Sequence, residues 1–225
     1  MRILALETTE LIGSVAAMDG CNLLAQLELC RRQRMAQSLA PGVRQLLSQV
    51  GWKPRDVELV AATSGPGSFT GLRIGITTAK AFAYAVSADV LGIDTLETIA
   101  AGAPDQIRAL TAVVDAQRGE VVAGAFQRDT QGWFRPTSAA ELVDVDTWLE
   151  SLPGGTLITG PVLHKLSDRV PDGVTMLDAS YRIPKAATVA RLAARDYAAG
   201  RRDDLFALAP RYSRRSAAEE KLERK

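Results

Sequence analysis

Histidine is almost missing from this sequence: His164 is the single one in 225 residues. A metal site draws on three or four ligands, usually histidines, cysteines or carboxylates in a tight set. The two cysteines, Cys21 and Cys30, form no C-x-x-C pair. Zinc is therefore not expected, nor is a disulfide framework, and a reducing cytoplasm is the default setting. A Ser-His-Asp arrangement would have only His164 to use, within GPVLHKL, where a structural role is the expected one. An excess of one charge is lacking too. Twenty-seven basic residues face 26 acidic ones, a net +1, so no global field draws the chain to nucleic acid or to a membrane. Apolar runs stay well short of the roughly 18–20 residues that span a bilayer. The opening MRILALETTE breaks its apolar run at Glu7 and reads as a first strand rather than a signal peptide.

What is present supports one large domain or two small ones. RILAL (residues 2–6), SVAAM (14–18) and LLAQLEL (23–29) read as three strands, with Asp19-Gly20 a turn between the last two. Met35, Leu39, Val43, Leu46, Leu47 and Val50 recur at helical spacing over residues 34–50. Pro41-Gly42 predicts a kink or break there, because an interior proline removes a hydrogen bond. VELVAAT (57–63) is a strand. A glycine-rich segment, SGPGSFTGLRIG (64–75), then opens a helix to about Ser87. A short strand (90–93) and a short helix (96–102) end the first half.

Gly102-Ala103-Pro104-Asp105 marks a domain boundary, giving lobes 1–104 and 105–225. Beyond it the chain repeats its plan. LTAVVD (110–115) ends in an acid, Ala-Gln-Arg-Gly turns, and EVVAGAFQ (120–127) returns, as Ile3 to Asp19 does around Glu7. A weak internal duplication is the natural reading. A helix is predicted over 140–152, with Ser138 as N-cap and Glu141 three residues on. A second helix, 188–199, stops at Gly200. The charged tail RYSRRSAAEEKLERK ends the chain. Arg211, Arg214, Arg215 and Lys221 could meet phosphates, but Glu219, Glu220 and Glu223 dilute them, so a solvated tail is expected.

The glycine-rich segment invites a phosphate, yet it fits neither common fingerprint. A P-loop needs G-x-x-x-x-G-K-[ST]; here the first lysine is Lys80, two turns into the helix. G-x-G-x-x-G also fails, since Gly67 is followed by Gly71. Bare N–H groups at a helix start still permit weak anion binding. Gly67, Gly71, Gly75, Ala79 and Ala83 recur every four residues, and from Gly71 onward they form one helix face. Glycine inside a helix costs roughly 0.8–1 kcal/mol relative to alanine, so close packing must offset it. Two readings stay open: the strip packs on the protein's own sheet, or it forms a subunit interface. Arg73, a cation in the first helical turn, opposes the helix dipole and should meet an acid or a bound anion. Ser68 or Thr70 can cap the helix.

SGPGSFTGLRIG with the following TTAKAFA resembles the signature of the TsaB (YeaZ) family. ILALETT with SVAA, AVVDAQRGEVVAGAF and PRYSRRSAAEEK resemble its other segments in the same order. The resemblance implies an α/β chain with the two-lobed actin-like ATPase (ASKHA) fold, built of duplicated ribonuclease-H-like domains around a cleft. It implies a cytoplasmic role in making threonylcarbamoyladenosine beside the tRNA anticodon. The family acts as a non-catalytic scaffold that activates the catalytic paralogue TsaD, with the ATPase TsaE joining them. It forms a homodimer when alone, meets tRNA only through the complex, and has no cofactor or metal of its own, ATP being used by the partners. Its helical dimer interface, carried over, falls on Met35, Leu39, Val43, Gly71, Leu72, Arg73, Gly75, Ile76 and Ala79.

Two rivals belong to other classes. An active small-molecule kinase or ATPase of the actin-like superfamily would hold nucleotide between Glu7, Thr8 and Asp115. Glu7 stands where many such enzymes carry aspartate, and no glycine follows until Gly13. A peptidase acting on the catalytic paralogue would need His164 as its base.

Overall fold

The computed structural model describes residues 1–29 and 34–214. Cys30 and, in the tail, Arg215, Glu219, Glu220, Lys221 and Glu223 lie outside the described residues.

The first sheet has β1 (Arg2–Glu7) at its centre. On one side β2 (Ser14–Asp19) and β3 (Asn22–Glu28) pair antiparallel, as the turn signal predicts. On the other, β4 (Leu59–Gly65) and β5 (Asp89–Asp94) pair parallel. A sheet covered on both faces needs apolar residues at every strand position, which is why RILAL shows no polar alternation. Leu4, Leu6, Val15 and Ala17 point to α1 (Met35–Gln49) and α2 (Phe69–Val86). Their neighbours Ile3, Ala5, Ala16 and Met18 point to α6 (Ala186–Ala198). This is the two-residue period of a strand feeding two cores.

The second sheet is built from β6 (Ala109–Gln117), β7 (Glu120–Arg128), β8 (Phe134–Pro136), β9 (Glu141–Asp144), β10 (Leu157–Thr159) and β11 (Thr175–Met176). Its order is β11-β10-β6-β7-β8, with β9 on β7. Exchanging β1, β2, β3, β4 and β5 for β6, β7, β8, β10 and β11 reproduces the first sheet's order and strand directions. α4 (Val145–Glu150) and α5 (Leu163–Leu166) cover one face through Trp148, Leu149 and Leu163. α3 (Thr95–Ala100) covers the other, where Leu96 and Ile99 meet Leu110, Val114 and Phe126.

Three local expectations change. The α1 helix runs unbroken through Pro41. Pro41 and Gln37, whose carbonyl loses its partner, are both exposed, on the side of the helix open to solvent, while Leu39, Val43, Leu46 and Leu47 anchor the buried face. The helix expected over 140–152 is half strand. Glu141–Asp144 pairs with β7, and the helix starts only after Asp144, whose Oδ1 accepts from the N–H groups of Asp146 (2.9 Å) and Thr147 (3.2 Å). Sheet pairing outweighs the local capping signal at Ser138. Finally, α6 belongs to the 105–225 stretch but packs on the first sheet.

Candidate functional site

The turns that end β1 and β6 face each other across a cleft of about 1350 Å³. Thr8, Glu10, Arg73, Asp115, His164 and Tyr212 are among its lining residues. The glycine segment shapes one wall. Ser68 Oγ accepts from Gly71 N–H at 3.2 Å and caps α2. Thr8 Oγ1 donates to the Gly71 carbonyl at 2.9 Å. A Cβ on Gly71 would overlap the Thr8 carbonyl oxygen, one on Gly75 would overlap Thr8 Oγ1, and one on Gly67 would lie 2.7 Å from Thr9 Cβ. The fourfold glycine rhythm is therefore the seat of the β1–β2 turn.

This decides where the expected interface residues lie. Gly71, Leu72, Gly75, Ile76 and Ala79 are buried inside the monomer, as are Leu39 and Val43. Met35 is half-buried against the same core and also borders the cleft. These side chains hold α1 and α2 to the sheet, so most of the proposed contact set points inward. Between the two helices lies a separate groove of about 460 Å³, lined by Ala40, Val43, Leu47, Trp52, Thr78 and Phe82. Trp52 carried no signal in the periodicity because it lies beyond the end of α1, and Phe82, four residues from Thr78 on α2, lies off the glycine–alanine face.

Among the described residues Arg73 meets aromatic rings. Its guanidinium lies 3.8 Å over the Phe69 ring, and its Nε donates to Tyr212 Oη at 2.8 Å. The Phe69 and Tyr212 rings stack with centroids 4.5 Å apart. An aromatic face attracts a cation much as an acid does, which accounts for an arginine at this dipole end. Tyr212 is 139 residues away in sequence, so local reasoning had no means to find it.

The acids differ from the nucleotide-facing pair the sequence suggests. Glu7 is fully buried. Its Oε1 accepts from Thr9 N–H (2.7 Å) and Thr9 Oγ1 (2.5 Å), while Oε2 has no hydrogen-bond partner. Burial pushes its pKa up to about 7, against smaller lowering by the Thr9 bonds. Asp115 accepts from Gln117 N–H and from Lys165 Nζ, both at 2.7 Å. Neither acid offers an unpaired carboxylate to the cleft. Glu10, which sequence reading passed over, lines the cleft together with Asp115. Burial raises its pKa to about 7; His164 and Lys165 pull it down and Asp115 pushes it up. His164 is exposed, with Nδ1 2.6 Å from the Pro161 carbonyl. Among the described residues no group of three or more His, Cys, Asp or Glu is placed to hold a metal ion, and no helix is long and apolar enough to cross a membrane.

Glu7 gives the fold a pH signature. Unfolded, it ionises near 4.5; folded, it keeps its proton to about 7. Its stabilising share is complete below pH 4.5 and is lost as pH rises to about 7, on the order of 3 kcal/mol. Urea midpoints at pH 5 and pH 8 should therefore differ, the higher stability lying at pH 5. Glu7→Gln keeps an acceptor for Thr9 and should narrow that difference, leaving the share due to Glu10. An unchanged difference would exclude Glu7 as its source.

Comparison with known proteins adds the following. Residues 29–160 match the family model described as TsaD: tRNA N6-adenosine threonylcarbamoyltransferase. The chain is 32% identical over 228 residues to the tRNA threonylcarbamoyladenosine biosynthesis protein TsaB of Escherichia coli (strain K12), covering 99% of this chain and 98% of the relative. It is 29% identical over 152 residues to the protein of that name in Bacillus subtilis (strain 168), covering 68% and 66%. Among solved structures, YeaZ from Pseudomonas aeruginosa superposes with a TM-score of 0.81 at 28% identity, over 94% of this chain and 99% of that one. The activator of the 2-hydroxyisocaproyl-CoA dehydratase from Clostridium difficile, solved with bound ADPNP, has a TM-score of 0.51 at 10% identity, over 91% and 99%. That likeness concerns the fold alone, and the fold is the actin-like ATPase one.

Proposed function

The chain belongs to the TsaB family, and from that premise we propose that it is a non-catalytic scaffold subunit in threonylcarbamoyladenosine synthesis on tRNA. In this reading it pairs with TsaD, TsaE joins the pair, and the threonylcarbamoyl group goes to the adenosine beside the anticodon on the TsaD side. The chain meets tRNA through the complex, works in the cytoplasm and forms a homodimer when alone. ATP is used by the partners.

The observation that carries the reading is the groove between α1 and α2. It is lined mainly by apolar side chains, with Leu47, Trp52 and Phe82 along it. A hydrophobic recess flanked by Arg44, Lys53 and Ser48 has the apolar centre and polar rim of an association surface. The cleft supports the same reading from the other side. Glu7 is enclosed and hydrogen-bonded to Thr9, and Asp115 is tied to Lys165. Neither is set up as the free carboxylate that phosphoryl transfer chemistry would place beside a nucleotide.

Reconstitution tests the proposal. With TsaD, TsaE, tRNA and the threonylcarbamoyl donor, modification should require this chain and should persist when Asp115 is replaced by alanine. Modification at full rate without the chain would overturn the scaffold reading. Loss of activity on Asp115→Ala, with the complex intact, would overturn the non-catalytic one.

A further inference from the structure

After α6 the chain does not leave the molecule. It turns at Gly200 and runs along the first lobe as a strap through residue 214. Arg201 donates to the Gly92 carbonyl (2.6 Å) and pairs with Asp196 and Asp203. Asp203 accepts from Gly92 N–H at 2.8 Å and bridges Val90. Lys80 on α2 donates to the carbonyls of Phe206 (3.0 Å) and Leu208 (2.9 Å). Leu205 and Leu208 pack on the core beneath α1 and α2. At the end of β4, Arg211 N–H donates to the Ser64 carbonyl at 2.6 Å, and its guanidinium reaches Ser64 Oγ (3.0 Å) and Asp94 (3.2 Å). Gly65 permits this approach, because its φ is +123° and a Cβ there would overlap the Arg211 carbonyl.

The anchors named up to Tyr212 lie on the first lobe, on the strap itself or on α6, which packs against that lobe. Two residues later the strap crosses: Arg214 pairs with Glu120, the first residue of β7 in the second sheet. The side chains of Arg214 and Glu120 are 23% and 30% exposed. Tyr212, Ser213 and Arg214 all line the cleft. The two lobes are also joined through α3, whose Leu96, Ile99 and Ala100 lie in the core of the second sheet while α3 continues directly from β5. A packed helix on the chain connection is a hinge element. The Arg214–Glu120 ion pair on the rim of the cleft is a fastening that can be undone.

We infer that residues 211–214 are a latch: Arg211 and Tyr212 fix it to the first lobe, and Arg214 grips Glu120 to hold the cleft closed. Release of that pair lets the lobes swing about α3 and widens the cleft. The device needs no ligand and does not depend on the reaction the complex performs.

The test measures the distance between the lobes in the full chain. Spin labels are placed on the native Cys21 and on a cysteine at Glu150, both exposed, one on each lobe, after Cys30 is replaced by serine. Pulsed dipolar spectra of the parent should give one narrow distance. Arg214→Ala and Glu120→Ala should each shift part of the population to longer distance. Glu120→Arg combined with Arg214→Glu should restore the narrow distribution. That rescue separates a latch from damage to folding. A distribution unchanged in both single variants, or a swap that leaves it broad, overturns the inference.

Discussion

Gly71→Ala is expected to destabilise the monomer by about 3 kcal/mol or more, at the upper end of the cost of overpacking. The added methyl would overlap the Thr8 carbonyl oxygen. That oxygen belongs to the backbone leaving β1, the central strand, so it cannot rotate aside. With net stability on the order of 5–15 kcal/mol, the loss should show as a large drop in the urea midpoint. Gly75→Ala offers a sharper comparison. Its obstacle is Thr8 Oγ1, a side-chain atom, so Thr8→Ala should largely rescue Gly75→Ala and should not rescue Gly71→Ala. Gly154→Ala is the control. Nothing lies within 4 Å of its added methyl, and its effect should stay within about 0.5 kcal/mol. A Gly71→Ala protein as stable as Gly154→Ala would remove the close approach between α2 and the β1–β2 turn.

If the chain pairs with TsaD as proposed, Thr78→Arg is expected to weaken that association by about 2 kcal/mol or more, roughly thirty-fold. Thr78 lines the groove and is only partly buried. Arginine suits a helix, so the monomer should keep its melting temperature while a long charged side chain fills the recess between Val43, Leu47 and Phe82. Ala40→Arg, from the exposed side of α1, approaches the groove from its other wall and should act alike. Titration calorimetry reads both. Unchanged affinity in both variants, with the fold intact, would place the TsaD contact elsewhere. Gly75→Leu cannot serve this purpose, because its side chain collides with Thr8 inside the monomer.

The contrast between these variants shows what the sequence could and could not convey. The hairpins around Glu7 and Asp115, the capped start of α2 and the two-lobed plan were legible because each rests on short-range signals. The glycine rhythm was legible as a demand for close approach. What approaches was not, because Thr8 lies 63 residues from Gly71 and spacing on a helix cannot name its neighbour. Arg73 shows the same limit: its need for a partner was visible, and Tyr212 was not. The strand at Glu141–Asp144 failed for a different reason. A local capping pattern at Ser138 and Glu141 competed with pairing to β7, and four residues hold too little periodicity to decide. Glu10 was missed because its environment comes from the second lobe, through His164, Lys165 and Asp115.

The position of α6 has a consequence during synthesis. Residues 186–198 supply the cover for Ile3, Ala5, Ala16, Met18, Leu59 and Leu91. At roughly 5–20 residues per second, those side chains leave the ribosome many seconds before their cover is made. The nascent first lobe therefore carries a bare apolar sheet face through most of translation. Its strands are the first made and among the last to be enclosed, and a chain stopped before α6 is a substrate for chaperones or proteases rather than a smaller working protein.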